Sequence, residues 1–375
     1  MAKEIYTQKV TELLSLADVR INGDRPWDLQ VHNDDLFERV LGSGSLGLGE
    51  AYMESWWDCQ ELDEFFSRVI RADLQKQVHT LRDKLFYVYA HFVNRQKGKK
   101  AFEVGSQHYD AGNDLYERML DKRMIYTCGF WQDAKNLDQA QEHKLELVCR
   151  KLKLQPGMRV LDIGCGWGGA ARYMAEKYDV EVVGISVSQE QIDMANAQSE
   201  GYNVNFRFQD YRDLNESFDR IYSLGMMEHV GFKNYADYFK VAHSCLNEGG
   251  LFLLHTIGFH KTSEKIDPWI ERYIFPNSIL PSAELITKHS AAIFTIEDWH
   301  NFGLDYHKTL HAWHDNISTA WGDLPDYNEE FRRMWKYYLM ASSGTFKAYT
   351  NHLWQIVLSK GVQKEPYKAV RSAVD

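Results

Sequence analysis

No stretch of this 375-residue chain is apolar for long enough to cross a bilayer, and its start, Met-Ala-Lys-Glu-Ile-Tyr, lacks a signal-peptide core. Both absences predict a cytoplasmic protein. Cysteine is scarce: Cys59, Cys128, Cys149, Cys165 and Cys245 make an odd set without metal-like pairing, which excludes a disulfide framework and predicts reduced thiols. Positive charge is also in deficit. A formal charge of −10 argues against wholesale nucleic-acid binding, so an anionic partner must meet a local basic patch. Residues 95–100, Arg-Gln-Lys-Gly-Lys-Lys, supply one, readable as a solvated linker or a lipid-headgroup contact. There is no internal repeat and no low-complexity tract. What the chain does hold is 44% hydrophobic residues, enough for a sizeable core, with 11 Trp, 21 Tyr and 19 Phe to build a core, a lipid cleft or a cation cage.

The most informative stretch is residues 160–169, Val-Leu-Asp-Ile-Gly-Cys-Gly-Trp-Gly-Gly, a buried strand running into a glycine turn that opens a helix. Glycines let the backbone turn and approach a ligand, and the helix start offers unpaired N–H groups. Gly164, Gly166 and Gly169 also satisfy the dinucleotide spacing, so the glycines alone do not choose the cofactor. Asp162 places a negative charge suited to a ligand with an amino group and a sulfonium, and the next strand lacks the terminal acid that would hold an NAD ribose. The order Leu-Asp-Ile-Gly-Cys-Gly resembles motif I of the S-adenosylmethionine methyltransferases.

Helical patterns dominate residues 1–90, as at 36–41 and 62–70, separated by the glycines of 42–49. This predicts a small accessory domain, then a basic linker at 91–107 and a catalytic domain over 108–375 whose first helix begins near Leu115. Strands are predicted at 159–163, 180–186, 203–208, 220–224 and 251–256, with helical stretches between them. The fold class is α/β, a class I methyltransferase-type doubly wound sheet with its crevice at the strand C-termini. An aromatic insertion at 267–276 follows, too long and apolar for a simple connection.

Around the crevice, Ser186 ends the second strand where a ribose contact belongs, and Ser188 with Gln191 has capping-box spacing. Gln191 therefore reads as a cap partner or a ribose ligand. Gln209, Asp210 and Tyr211 follow the third strand, as adenine contacts or as a buried turn. Cys128, Glu228, His255 and Tyr306 fall at the catalytic mouth, and no His-x-x-His or Cys-x-x-Cys pair links these four, so no metal is expected there.

Several further segments carry a family resemblance: 44–53 (Gly-Ser-Leu-Gly-Leu-Gly-Glu-Ala-Tyr-Met), 108–114 (His-Tyr-Asp-Ala-Gly-Asn-Asp), 125–131 (Ile-Tyr-Thr-Cys-Gly-Phe-Trp), 225–231 (Gly-Met-Met-Glu-His-Val-Gly) and 253–258 (Leu-Leu-His-Thr-Ile-Gly). With the glycine turn, they resemble the bacterial cyclopropane-fatty-acyl-phospholipid synthase family over nearly the whole chain. The resemblance implies methyl transfer from S-adenosylmethionine to a cis double bond of a phospholipid acyl chain, then ring closure. It implies a bicarbonate ion held by Cys128, Glu228, His255, Tyr306 and the backbone of Ile257, and cofactor contacts at Tyr126, Thr127, Gly164, Gly166, Ser186, Gln191, Gln209 and Asp210. It also implies a homodimer. Thr127 and Gly129 depart from the Ser and Ala common in relatives, changes read here as adjusting only pocket volume.

The chemistry suits those residue types. An isolated alkene is a poor nucleophile, so it must be aligned with the methyl and kept dry, and the resulting carbocation benefits from aromatic faces. Trp269, Tyr273 and Phe275 are candidates for that contact or for ordinary walls of an acyl tunnel. A weak base then removes a proton from the new methyl group. A phospholipid substrate implies a peripheral protein at the inner face of the cytoplasmic membrane, with Lys97, Lys99 and Lys100 meeting anionic headgroups and the N-terminal domain docking lipid or forming the dimer. Three alternatives remain at this level: a methyl-branching acyl-chain methyltransferase, a catalytically silent lipid-binding protein, and a methyltransferase of soluble small molecules.

Overall fold

The computed structural model describes residues 2–74, 112–263 and 265–374, which fall into two compact units. The basic linker with Lys97, Lys99 and Lys100, and residues 108–111 of the His-Tyr-Asp-Ala motif, lie outside the described residues. The second unit is built on a seven-stranded sheet: β1 (Arg159–Ile163), β2 (Glu181–Ser186), β3 (Val204–Phe208), β4 (Phe218–Leu224), β5 (Leu246–Phe259), β6 (Thr295–Asn301) and β7 (Asn351–Ser359). Their spatial order is β3-β2-β1-β4-β5-β7-β6. The first five strands pair in parallel and β6 pairs antiparallel with β7, so the sheet is mixed.

Residues of one strand supply two cores, as a sheet covered on both faces requires. Leu161 and Ile163 join Val183 and Ile185 on one side, while Val160 packs with Val182 on the other. Because β2 and β4 flank β1 on opposite sides, the strand order reverses there, and the C-terminal ends of β1 and β4 open the crevice where ligands bind in such sheets. The five predicted strands are present, and β5 runs to fourteen residues.

The first unit gathers helices Ala2–Leu16, Leu36–Met53, Leu62–Arg71, Pro268–Tyr273 and Glu329–Lys347 with most of Leu304–Ala320. Segments 264–276 and 306–351 thus group with the N-terminal part of the chain. The glycine segment 42–49 is a connection only at one residue: Gly44 (φ 58°, ψ −135°) is non-helical and divides Leu36–Met53 into two helical pieces, while the glycines after it are helical rather than part of a longer connection. Aromatics form this unit's core: Trp57 lies 5.0 Å from Tyr52 and 5.4 Å from Phe65, and Tyr337 lies 4.4 Å from Trp269. All five cysteines are buried thiols outside any disulfide.

Candidate active site

The glycine turn after β1 has the conformation its residues require. Gly164, Gly166 and Gly168 adopt φ of 90°, 53° and 76°, and the N–H groups of Gly164 and Cys165 both bond to the Ile185 carbonyl on β2. A β-carbon added at Gly166 would meet nothing within 4 Å, so the backbone of the turn is open to the approach of a ligand there. Trp167 closes the turn by donating to Asn113 Oδ1 at 2.9 Å, which ties in the end of the 108–114 motif. Ser188 caps the helix Gln189–Ala197 by accepting from the Gln191 N–H. The Gln191 side chain does not complete a capping box. Its Oε1 accepts from Ser186 Oγ at 3.1 Å, so the two polar residues expected at a ribose are already joined at the end of β2.

Other expected cofactor residues have structural partners. Asp162 is fully buried and accepts from Tyr222 at 2.7 Å, and burial pushes its carboxyl up to about 7. The open negative charge expected from the sequence is thus a hydrogen-bonded core acid. Asp210 accepts from Arg212 through both backbone and guanidinium, Tyr211 packs into the core against Tyr238, and Gln209 donates to the Asp213 carbonyl at 3.2 Å. Tyr126 rests against Tyr116. The Thr127 methyl lies where a side chain at Gly225 would stand, bringing the 125–131 loop to the end of β4.

Helix Leu137–Leu152 holds that loop from behind. Gln141 donates to the Thr127 carbonyl at 2.7 Å, and Lys144, fully buried, donates to Thr127 Oγ1 at 2.9 Å. Burial lowers the Lys144 pKa, while Asp121, Cys128 and Asp162 act against that shift. Gly129 does more than adjust pocket volume, because a β-carbon there would stand 2.9 Å from that of Ala140. Cys128 is buried and its Sγ approaches the Gly129 carbonyl at 3.1 Å.

The most distinctive geometry joins β4, β5 and β7. Glu228, on the short helix Met227–Val230 after β4, accepts from the Ile257 N–H at 2.6 Å through Oε1. Its Oε2 is buried without a partner. Burial raises the carboxyl to about 7 against the opposing effects of the Ile257 N–H and the nearby Thr256 hydroxyl, whose own bond runs to the Ile257 carbonyl at 3.1 Å. His255 precedes Ile257 by two residues on β5, and its Nδ1 accepts from the Gln355 amide of β7 at 3.2 Å. That bond leaves the ring proton on Nε2, which is buried and unpartnered. Burial, then Lys144 and Lys151, hold the ring well below the usual histidine range, so it is a neutral donor. An acceptor oxygen and an N–H donor, both buried and open, are what a small anion carrying one proton requires.

Gln355 and Lys144 escaped the sequence reading. Gln355 has a signal, a lone polar residue within the apolar run 353–358, whereas Lys144 follows Gln141, Glu142 and His143 and shows its burial only in the fold. Gln355→Leu removes one hydrogen bond, so kcat is expected to fall about 3- to 10-fold with the KM for S-adenosylmethionine unchanged. Equal changes in both constants would remove the tautomer role.

Tyr306 lies in the first unit, where its ring stacks on Phe346 at 4.6 Å. So do the aromatics of the insertion: Trp269 is fully buried against Gly49 and Tyr337, Tyr273 donates to Glu50 at 3.0 Å, and Phe275 meets Tyr338. The insertion is a helix packed within that unit, and Trp269 is one of its core residues.

The mycolic acid cyclopropane synthetase family matches residues 96–356. The chain belongs to this family. It is 54% identical over 354 residues to the cyclopropane-fatty-acyl-phospholipid synthase of Escherichia coli K12, covering 94% of this chain and 93% of the relative. Among solved structures, the cyclopropane synthase MmaA2 of Mycobacterium tuberculosis is 30% identical with a TM-score of 0.65, covering 69% of this chain and 98% of its own. Mycolic acid cyclopropane synthase CmaA1, complexed with SAH and CTAB, is 32% identical with a TM-score of 0.64 and the same coverages. The class I methyltransferase fold is thereby established, and the chain is an S-adenosylmethionine-dependent methyltransferase.

Proposed function

We propose that this enzyme adds a methylene to the cis double bond of an unsaturated phospholipid acyl chain, with bicarbonate bound between Glu228 and His255. The observation that carries the reading is the pair of buried, open atoms, Glu228 Oε2 and His255 Nε2, held in place by Ile257 and Gln355. S-adenosylmethionine supplies an electrophilic methyl on a sulfonium, and bicarbonate supplies a weak base in a dry site. Gly164 and Gly166 let the cofactor approach the backbone, while Ser186 and Gln191 stand at the end of β2 where its ribose would lie. The alkene carbons gain the methyl as its bond to sulfur breaks. Loss of a methyl proton then lets the third ring bond close.

Glu228 would accept the bicarbonate O–H and His255 would donate to an anionic oxygen. The Ile257 N–H is engaged by Glu228, so it reaches an anion only by being shared. Cys128 completes the proposed set within the second unit, with Tyr126, Thr127, Gln209 and Asp210 toward the cofactor. Tyr273 and Phe275 are proposed to line the acyl path, Trp269 supporting them from the core.

We place the reaction at a bilayer surface on the cytoplasmic side, with a homodimer as the working unit and the N-terminal region as the docking or dimerising part. Among the described residues no helix is long and apolar enough to cross a membrane. The basic segment around Lys97, Lys99 and Lys100 would then act electrostatically. Changing these three to Ala, or raising salt, is expected to reduce cosedimentation with anionic vesicles. Unchanged cosedimentation would remove this segment from membrane binding.

The deciding experiment incubates purified protein with S-adenosylmethionine, bicarbonate and vesicles of a cis-monounsaturated phospholipid, then analyses released fatty acids by gas chromatography and mass spectrometry. A gain of one CH₂ as a cyclopropane ring is expected. The same gain with an alkene retained would make it a branching enzyme, and no gain despite cofactor binding would overturn the acyl acceptor.

A further inference from the structure

Two histidines unused by the transfer chemistry face an aspartate within the first unit. His307 and His311 are four residues apart on helix Leu304–Ala320, so their rings leave the same face one turn apart, with centroids separated by 4.5 Å. Asp63, on helix Leu62–Arg71, lies opposite, and one donor atom from each residue falls within 4.8 Å of the others. The separation of Asp63 Oδ2 from His311 Nε2 is 3.4 Å. That matches the edge of a tetrahedron whose metal–ligand bonds are about 2.0–2.1 Å.

The surroundings suit ligation as well. His307 Nδ1 is fixed by Ser343 Oγ at 2.6 Å, the kind of outer contact that orients a ligating imidazole and presents its other nitrogen. Asp63 now pairs with Lys347 at 3.1 Å, but Lys347 also reaches Glu64 at 2.8 Å and keeps an acid partner when a cation takes Asp63. The His311 ring is partly exposed, while its Nε2 is buried with no hydrogen-bond partner beside Asp63, so the ligating nitrogen lies inside the cluster. Two imidazoles and one carboxylate favour a zinc-class ion over magnesium or calcium, which prefer oxygen ligands.

The geometry points to a divalent transition-metal site formed by Asp63, His307 and His311, in which a zinc-class ion pins helix Leu62–Arg71 to helix Leu304–Ala320. The expectation of no metal concerned Cys128, Glu228, His255 and Tyr306. Here the signal is the i, i+4 histidine pair, which acquires its third ligand only through the fold.

The test uses the full-length protein freed of metal with a chelator and dialysed, then titrated with Zn²⁺ in a calorimeter and followed by thermal unfolding. Wild type should bind one Zn²⁺ tightly and gain a few degrees in Tm, because an ion that binds only the folded state stabilises it. Both His311→Gln and His307→Gln should weaken that binding at least tenfold and lose the Tm gain, whereas the exposed His260→Gln should behave as wild type. Co²⁺ in wild type should show the visible absorption of a tetrahedral site, absent in His311→Gln. The proposal is overturned if wild type shows no saturable Zn²⁺ site, if His311→Gln binds as tightly as wild type, or if Mg²⁺ binds equally well. Any of these would leave the cluster as an ion pair of Asp63 with Lys347, with His311 beside it.

Discussion

Replacing Glu228 by Gln is expected to lower kcat by about 10²- to 10³-fold while leaving S-adenosylmethionine affinity within about twofold. The substitution preserves shape and an oxygen able to accept from the Ile257 N–H, so the local fold should persist. What changes is the open position: an acceptor oxygen becomes an NH₂ donor, and the O–H of a bound anion loses its acceptor. The same residue sets a pH dependence. Burial raises the Glu228 carboxyl to about 7, so below that value it carries a proton and donates where it must accept. With bicarbonate concentration held constant at each pH, kcat/KM should climb about tenfold per pH unit on the acid side and level off above about 7. The Gln variant should lack that limb. Calorimetry that finds cofactor affinity falling in step with activity would place Glu228 in the cofactor site, and an acid limb surviving in the variant would assign it to another group.

The parts of this fold legible in the sequence are those whose pattern reflects local chemistry. Buried parallel strands read as short apolar runs, and β1 through β5 appeared from that signal alone. Neither β6 nor β7 did. Thr295–Asn301 is largely polar because only part of it is covered, and Asn351–Ser359 acquires its place only by insertion between β5 and β6. The glycines of 42–49 were legible in part: Gly44 does break the helix, whereas Gly47 and Gly49 stay helical because tertiary packing decides there, with Trp269 pressing where a Gly49 side chain would stand. In the site, Glu228 and His255 were readable as residue types, whereas their coupling through Ile257 and Gln355 depends on strand register. Asp162 shows the converse: its charge suggested an open ligand contact, but its position inside β1 buries it against Tyr222.

A large loss of stability is expected from Gly168→Ala, and its contrast with Gly166 separates folding from binding in one turn. Both have left-handed backbones, φ 76° and 53°, for which a side chain costs about 1–2 kcal/mol. Their surroundings differ. A β-carbon at Gly168 would stand 2.4 Å from Cζ of Phe206, a buried ring on β3, so Gly168→Ala must displace a core side chain. Overpacking of this kind adds about 1–3 kcal/mol, and urea unfolding should show a total loss of about 2–5 kcal/mol. At Gly166 the new methyl meets nothing within 4 Å. Gly166→Ala should therefore fold with only the backbone cost, and its methyl should occupy the space a cofactor needs. S-adenosylmethionine affinity should fall at least about tenfold, roughly 1.4 kcal/mol. If Gly166→Ala binds normally, the cofactor does not approach the turn at this residue; if Gly168→Ala unfolds like wild type, Phe206 has room to move and the turn is less tightly held than its geometry requires.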